Sequence, residues 1–202
     1  MDVATYERNK EAANTENRYI LTCKNTDKIC IFTNKGQMHL LKVLDLPYGK
    51  FRDKGTPIDN LSNYNSSEEN FVYITNLAAI SHSQVLFGTK SAMLKVVDGS
   101  EFDVAKRTTA ATKLNEGDEL IFVQALALEE TLVMQPEKDF FLRIDISSIP
   151  EKKKGAVGVR GMKLGAGDAL AAIYLLNAED VVNIEVKGKE VALNRLRTAG
   201  RD

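Results

Sequence analysis

Short apolar runs separated by turns recur along the whole chain. Residues 28–33 form one run, and Asn34, Lys35 and Gly36 separate it from a second run at residues 37–43. An Asn-x-Gly turn between two apolar runs is typical of a β-hairpin. Further hairpins are predicted at three later pairs of runs, residues 84–88 with 92–97, 131–134 with 140–144, and 180–184 with 191–193.

These hairpins open a unit that repeats at intervals of roughly 47 to 56 residues. Other apolar stretches follow the first three hairpins, at residues 58–61 and 71–75, 110–114 and 119–123, and 159–164 and 171–176. About four strands per unit is the size of a propeller blade. We therefore predict an all-β ring of about four four-stranded antiparallel blades, forming one domain over residues 1–202. Residues 6–13 predict a short helix or an ordered loop.

Composition limits the possible functions without choosing one. The net charge is −1 and the pI is near 6.2, so the chain as a whole has no basic excess for nucleic acid. The polar N-terminus is unlike a signal peptide, and no apolar run is long enough to span a membrane. Cys23 and Cys30 lie in strand-like segments and are expected to be buried thiols in a reducing compartment. We expect a cytoplasmic protein with no membrane contact.

Residue types that carry out catalysis are sparse. His39 and His82 are the only histidines; His39 lies within a predicted strand, as a packed or surface residue would, and His82 has no Cys or acid close by in sequence. No nucleophile–base set, zinc-ligand spacing or phosphate-binding loop stands out. We therefore predict no catalytic residue, no metal and no cofactor, which disfavours an independent enzyme.

The most basic stretch is residues 151–164, which contains five cations, one acid and three glycines. Glycines at 155, 158 and 161 permit a tight loop whose backbone N–H groups could face an anion. Such a loop suits the repeating phosphates of duplex DNA. The alternative is an ordinary solvated basic loop.

Weaker basic segments recur at the comparable place in the other units. Because rotation-related repeats place equivalent loops on one rim, we predict a curved positive track that binds DNA. Lys95 and Arg143 are expected to share one register of the second hairpin strand, where the first unit has Leu40, whereas the turn residues Lys35, Lys90 and Lys187 are expected to be ordinary exposed cations. The predicted DNA-binding residues are Lys50, Arg52, Lys54, Lys95, Lys106, Arg107, Lys113, Arg143, Lys152, Lys153, Lys154, Arg160, Lys163, Arg195, Arg197 and Arg201.

Two segments carry a family resemblance. Residues 32–43, followed by Leu46-Pro47 and residues 54–58, and also residues 154–164, resemble repeats of the C-terminal domain of DNA gyrase A, and equally of the corresponding topoisomerase IV protein. The resemblance extends from about Tyr19 onward. It implies a β-pinwheel in which neighbouring blades exchange a strand and the outer rim binds and bends duplex DNA. The implied partners are the remainder of the gyrase A protein, which holds the catalytic tyrosine, and the ATPase subunit; the implied location is the nucleoid.

One part of the family pattern is absent. The gyrase box, a glutamine, two arginines and a Gly-Gly-Lys-Gly run, has only degenerate matches here, at residues 49–55 and 150–155. Its usual place in the first blade corresponds to residues 5–13, which contain two acids. We therefore expect a topoisomerase-IV-like or divergent protein of this family, and a chain that is a piece of a longer one. The alternative function is a propeller-like protein-interaction module without DNA binding.

Overall fold

Antiparallel β-structure makes up almost all of the regular structure. The structure, a computed structural model, describes residues 1–138 and 140–199. Two short helices, α1 (Val3–Arg8) and α2 (Lys10–Glu16), precede the first strand, and the Asp2 side chain caps α1 by accepting a 2.7 Å hydrogen bond from the Thr5 amide. The prediction of a short helix or ordered loop near residues 6–13 is confirmed.

The first blade is a four-stranded sheet in the order β3-β1-β2-β6. Strands β1 (Lys28–Thr33) and β2 (Gln37–Lys42) form the predicted hairpin, and β3 (Phe71–Asn76) pairs with β1. The fourth strand, β6 (Thr108–Ala110), pairs with β2 although it lies beyond the second hairpin in the chain.

The second blade has the same plan, in the order β10-β5-β4-β7. Its hairpin is β4 (Gln84–Thr89) and β5 (Met93–Asp98), and β7 (Leu120–Ala125) pairs with β4. Strand β10 (Val159–Arg160), which comes from beyond the third hairpin, pairs with β5. Each complete blade thus receives one strand from the following unit, which is the strand exchange that the family resemblance implied.

The third and fourth hairpins are built into smaller sheets within the described residues. Strands β8 (Thr131–Pro136), β9 (Leu142–Asp145) and β11 (Leu170–Leu176) form a three-stranded sheet. Strands β12 (Asn183–Val186) and β13 (Lys189–Ala192) form a two-stranded sheet.

A single helical turn follows the second strand of each hairpin. These 3-10 helices are Val43–Asp45, Gly99–Phe102, Ile146–Ser148 and Leu193–Arg195, and helix α3 is Leu77–Ile80.

A fifth 3-10 helix, Ile58–Asn60, lies where the sequence predicts a strand, and that prediction is wrong. Ile58 and Leu61 are three residues apart, so one helical turn directs both into the cluster around Ile31 and Tyr64. The predicted strands at 110–114 and 159–164 are also mostly loop, since β6 ends at Ala110 and β10 at Arg160.

The blades stack face to face through alternate residues of their inner strands. In β4, Phe87 packs toward the first blade with Phe32 and Phe102, whereas Leu86 packs toward the third blade with Leu132. Successive side chains of a strand point to opposite faces, so each inner strand supplies two separate cores. These stacked cores fix where the connecting segments between blades emerge.

Candidate nucleic-acid interface

Three connecting segments cross from one unit onto the preceding blade. We call residues 103–110, 149–160 and 196–199 the exchange segments. The Leu40 amide donates to the Arg107 carbonyl (2.8 Å), the Val96 amide to the Pro150 carbonyl (3.2 Å), and the Ala199 amide to the Arg143 carbonyl (2.8 Å).

Those three contacts occupy one register. Leu40, Val96 and Arg143 pair with Cys30, Leu86 and Val133, which are the third residues of their respective hairpin strands. Parallel bridges join Val96 to Glu151 and Arg143 to Thr198. The exchange segments therefore meet three successive blades at equivalent points.

Cations accompany each of these points; Arg107 and Arg197 are exposed, and Lys152 is half-buried. Arg107, Lys152 and Arg197 lie within two residues of the contacts, so the structure brings them to comparable places on successive blades. Among the described residues, most of the predicted cations are exposed and form no ion pair within 4.0 Å; these are Lys50, Arg52, Lys54, Lys106, Arg107, Lys113, Arg160, Lys163, Arg195 and Arg197.

Some predicted cations lie elsewhere. Lys50, Arg52 and Lys54 belong to the loop after the first hairpin, which pairs with no strand in the described part of the chain. Arg201 lies outside the described residues. A single curved track made by all of these cations stays a prediction.

Lys95 is not a surface cation. It is 1% exposed, and its Nζ donates to the carbonyl oxygens of Lys153 (3.1 Å), Lys154 (2.8 Å) and Ala156 (2.8 Å). Burial lowers the pKa of Lys95 to about 8. Because it pairs with Phe87, Lys95 takes the register of His39, and the prediction that it shares the register of Leu40 and Arg143 is wrong.

Arg143 is half-buried, and its guanidinium group is hydrogen-bonded within the protein. Its Nε donates to Thr131 Oγ1 (3.1 Å), and its Nη1 donates to the carbonyls of Asn194 (2.8 Å) and Leu196 (3.2 Å). A side chain with these partners orients the third exchange segment. We therefore remove Lys95 and Arg143 from the set proposed to contact DNA.

The basic stretch around residue 154 does not present a row of free amides. The Lys152 amide donates to the Val96 carbonyl (2.8 Å), the Lys154 amide to Glu101 Oε2 (3.1 Å), and the Ala156 amide to the Lys153 carbonyl (3.0 Å). The expected anion-facing loop is thus replaced by one whose carbonyls converge on the Lys95 ammonium.

Two of its glycines are required for close packing. A Cβ at Gly158 would lie 2.7 Å from the Leu94 carbonyl oxygen, and one at Gly161 would lie 2.5 Å from Leu94 Cδ1. At Gly155 a Cβ would meet nothing within 4 Å. Gly158 and Gly161 therefore permit residues 158–161 to approach Leu94 of β5 closely.

Comparisons with known proteins identify the family. The family described as "DNA gyrase C-terminal domain, beta-propeller" matches residues 83–127 and 137–177. The DNA gyrase A protein of Lawsonia intracellularis is 32% identical over 157 residues, which are 77% of this chain and 19% of that protein. The chain belongs to the DNA gyrase C-terminal β-propeller family.

Solved structures agree with this gyrase-type fold. The C-terminal domain of DNA topoisomerase IV matches with a TM-score of 0.82 at 21% identity, covering 99% of this chain and 65% of that one. The DNA gyrase A C-terminal domain matches with a TM-score of 0.65 at 19% identity, covering 90% and 59%. The chain spans about one fifth of the length of the curated gyrase proteins it matches.

Sequence reasoning missed the acid that holds the basic loop of this gyrase-type domain. Glu101 lies 3.4 Å from Lys153 Nζ and accepts the Lys154 amide, while its carbonyl accepts Lys154 Nζ at 2.7 Å. Lys153 nevertheless keeps 86% of its side chain exposed. Nothing local in the sequence joins Glu101 to residues more than fifty positions away.

The buried pair of His39 and Glu69 at the first exchange point was also missed. His39 Nε2 lies 2.7 Å from Glu69 Oε1, and His39 Nδ1 lies 2.9 Å from Thr108 Oγ1 on β6. His39 is 3% exposed and Glu69 is 8% exposed, so His39 is a packed residue, as its strand position predicted. The pair links the first blade to its exchanged strand.

Neither a metal cluster nor a membrane helix is found in the described part of this gyrase-type domain. Within residues 1–138 and 140–199, no group of three or more His, Cys, Asp or Glu side chains is placed to hold a metal ion. None of the helices in that part of the chain is both long enough and apolar enough to cross a membrane.

Proposed function

We propose that this domain binds duplex DNA through phosphate contacts and bends it along successive blades. The observation that carries the proposal is the common register of the exchange contacts, which sets Arg107, Lys152 and Arg197 at comparable points. Membership of the gyrase C-terminal family supports it. The contacts would be made to the DNA backbone and not to base edges, because the cations of the described residues sit mainly on loops and short strands.

The local charge balance favours phosphate binding more than the net charge suggests. Asp103, at the start of the first exchange segment, is paired with Lys28 at 3.0 Å, and Glu151 accepts from Gln84 at 3.0 Å. Lys106 and Arg107, which lie in the same exchange segment as Asp103, form no ion pair within the described residues. Smooth bending of a short duplex costs about 1–6 kcal/mol, which several phosphate contacts can offset.

The proposed setting is a bacterial type IIA topoisomerase. The domain would present a DNA segment for strand passage to the remainder of the gyrase A protein, working with the ATPase subunit on nucleoid DNA in the cytoplasm. Catalysis would belong to those other parts, and this domain would supply no reacting group or cofactor.

Salt-dependent binding to a fluorescent duplex of about 30 base pairs tests the proposal. The variant K106A/R107A removes two cations at the first exchange point, and K35A/K90A removes two from hairpin turns as a matched control. We expect K106A/R107A to weaken binding to all sequences alike and to lower the slope of log K against log salt by about 1.8, at about 0.9 per phosphate.

The control should bind like the parent chain. Absence of parent binding at low salt, or equal losses in the two variants, would refute the proposed function.

A protein-interaction role is favoured by one feature. Val3, Leu44 and Tyr48 are 67%, 75% and 76% exposed, and they line one groove of about 620 Å³ between the N-terminal helices and the first blade. If that groove is the functional surface, L44S would abolish partner capture while leaving duplex binding intact.

A further inference from the structure

We propose that Lys95 is a positioning residue whose buried ammonium holds residues 152–158 in shape, so that Lys152 and Lys153 face the DNA backbone. The inference rests on the proposed function and deepens it, because it assigns a role to a cation that cannot itself touch DNA.

The segment that Lys95 holds is an insertion within the exchange geometry. At the first exchange point, Leu40 bonds to Arg107, and Met38 pairs with Thr109, so only Thr108 lies between. At the second, Val96 bridges to Glu151, and the next pairing is Leu94 with Val159. Residues 152–158 therefore span a step that Thr108 alone spans in the first blade.

The inserted loop lies largely outside the strand ladder, so its carbonyls need other donors. An ammonium group has three N–H donors, and the Lys95 group uses them on the carbonyls of Lys153, Lys154 and Ala156, at 2.8–3.1 Å. Its Nζ also lies 5.5 Å from the centroid of the Phe87 ring. One fixed cation thus gathers three carbonyls of a short stretch of chain to one point.

Glu101 holds the same loop through a separate set of contacts. It accepts the Lys154 amide, and its carbonyl accepts Lys154 Nζ, which turns that side chain back toward the blade. Lys153 keeps most of its side chain in solvent. With the backbone held by Lys95 and Glu101, the remaining cations of the loop are Lys152, which is half-buried, and Lys153, whose exposed Nζ lies 3.4 Å from Glu101 Oε1.

Hydrogen exchange and duplex binding, both near neutral pH, test the inference on the same variants. Lys95→Met keeps the apolar stem and removes the three donors, and Lys95→Gln keeps two donors if the first variant does not fold. K90A removes an exposed lysine from the same hairpin as the matched control.

We expect K95M to exchange the amides of residues 152–157 at least about tenfold faster while β4 and β7 stay protected. We also expect it to lose as much duplex affinity as K152A/K153A, with a similar fall in salt slope, and the combined variant to lose no more than either. K95Q should fall between, and K90A should change neither readout.

Unchanged exchange in the loop, or additive losses in the combined variant, would overturn the inference. Faster exchange with unchanged duplex binding would overturn it too, provided K152A/K153A binds more weakly. If the parent chain binds no DNA, the proposed function fails, and the exchange result alone decides whether Lys95 anchors the loop.

Discussion

Phe32 is the residue whose truncation should cost most, because it joins the first two blades. It is 0% exposed, and its ring meets Phe102 edge-on at 5.3 Å and Phe87 edge-on at 5.9 Å between centroids. Phe32 belongs to the first blade, whereas Phe87 and Phe102 belong to the second unit. Phe32→Ala therefore opens a cavity between two sheets instead of at the edge of one.

The expected cost can be worked out from these contacts. A buried Phe→Ala change costs about 3–5 kcal/mol, and each aromatic pair adds about 0.5–1.5 kcal/mol beyond the buried area. With two edge-on partners, we expect the upper part of that range. At about 2–4 °C per kcal/mol for a chain of this size, a loss of about 4–5 kcal/mol should lower Tm by about 8–20 °C.

Urea unfolding followed by circular dichroism measures the free energy of unfolding directly. Phe140→Ala is the matched control, because Phe140 is 91% exposed and its loss should change stability by less than about 0.5 kcal/mol. A loss below about 1 kcal/mol for Phe32→Ala, or equal losses in both variants, would refute the inter-blade packing described above.

Two further predictions concern pH and backbone packing. Burial lowers the pKa of Lys95 to about 8 from an ordinary 10.5. Between pH 8 and pH 10.5 the Lys95 side chain is therefore protonated in the unfolded chain and largely neutral in the folded chain. The free energy of unfolding of the parent chain, relative to that of K95M, should therefore rise with pH across this window. Glu101 raises this pKa and Lys152 lowers it. Urea unfolding of both variants at intervals through this pH window tests the prediction, and a stability difference that does not change with pH would contradict it. Gly99→Ala should destabilise by about 1–3 kcal/mol or more, because its Cβ would lie 1.7 Å from the Ile80 carbonyl oxygen. Gly155→Ala, whose Cβ meets nothing within 4 Å, should be close to neutral in the same thermal unfolding assay.

The pattern of apolar residues along the chain correctly predicted several strands. The run at 28–33 matches β1, and 71–75 and 171–176 match β3 and β11 to within one residue. Runs of apolar residues indicate where the strands are, because the inner strands pack against two cores. They do not state that Thr108 pairs with His39, and only the family resemblance pointed to strand exchange.

The candidate site was harder to predict because its charges are sorted by distant contacts. Lys95 looks like a surface cation in sequence, and only the return of residues 153–156 shows that it is an internal donor. Glu69, thirty residues from His39, gave no signal of pairing with it. The sequence correctly predicted that cations such as Arg107 are exposed, since no other part of the described chain covers them.

Because β6 and β10 are each lent to the sheet before them, neither four-stranded sheet coincides with one stretch of chain. A gene duplication that copied whole sheets would have to cut through the donated strand and leave two neighbours incomplete. If blades are gained or lost during evolution, the breakpoints should therefore lie within sheets and not between them. Each duplicated stretch would then supply the fourth strand of the preceding sheet and receive its own fourth strand from the stretch that follows.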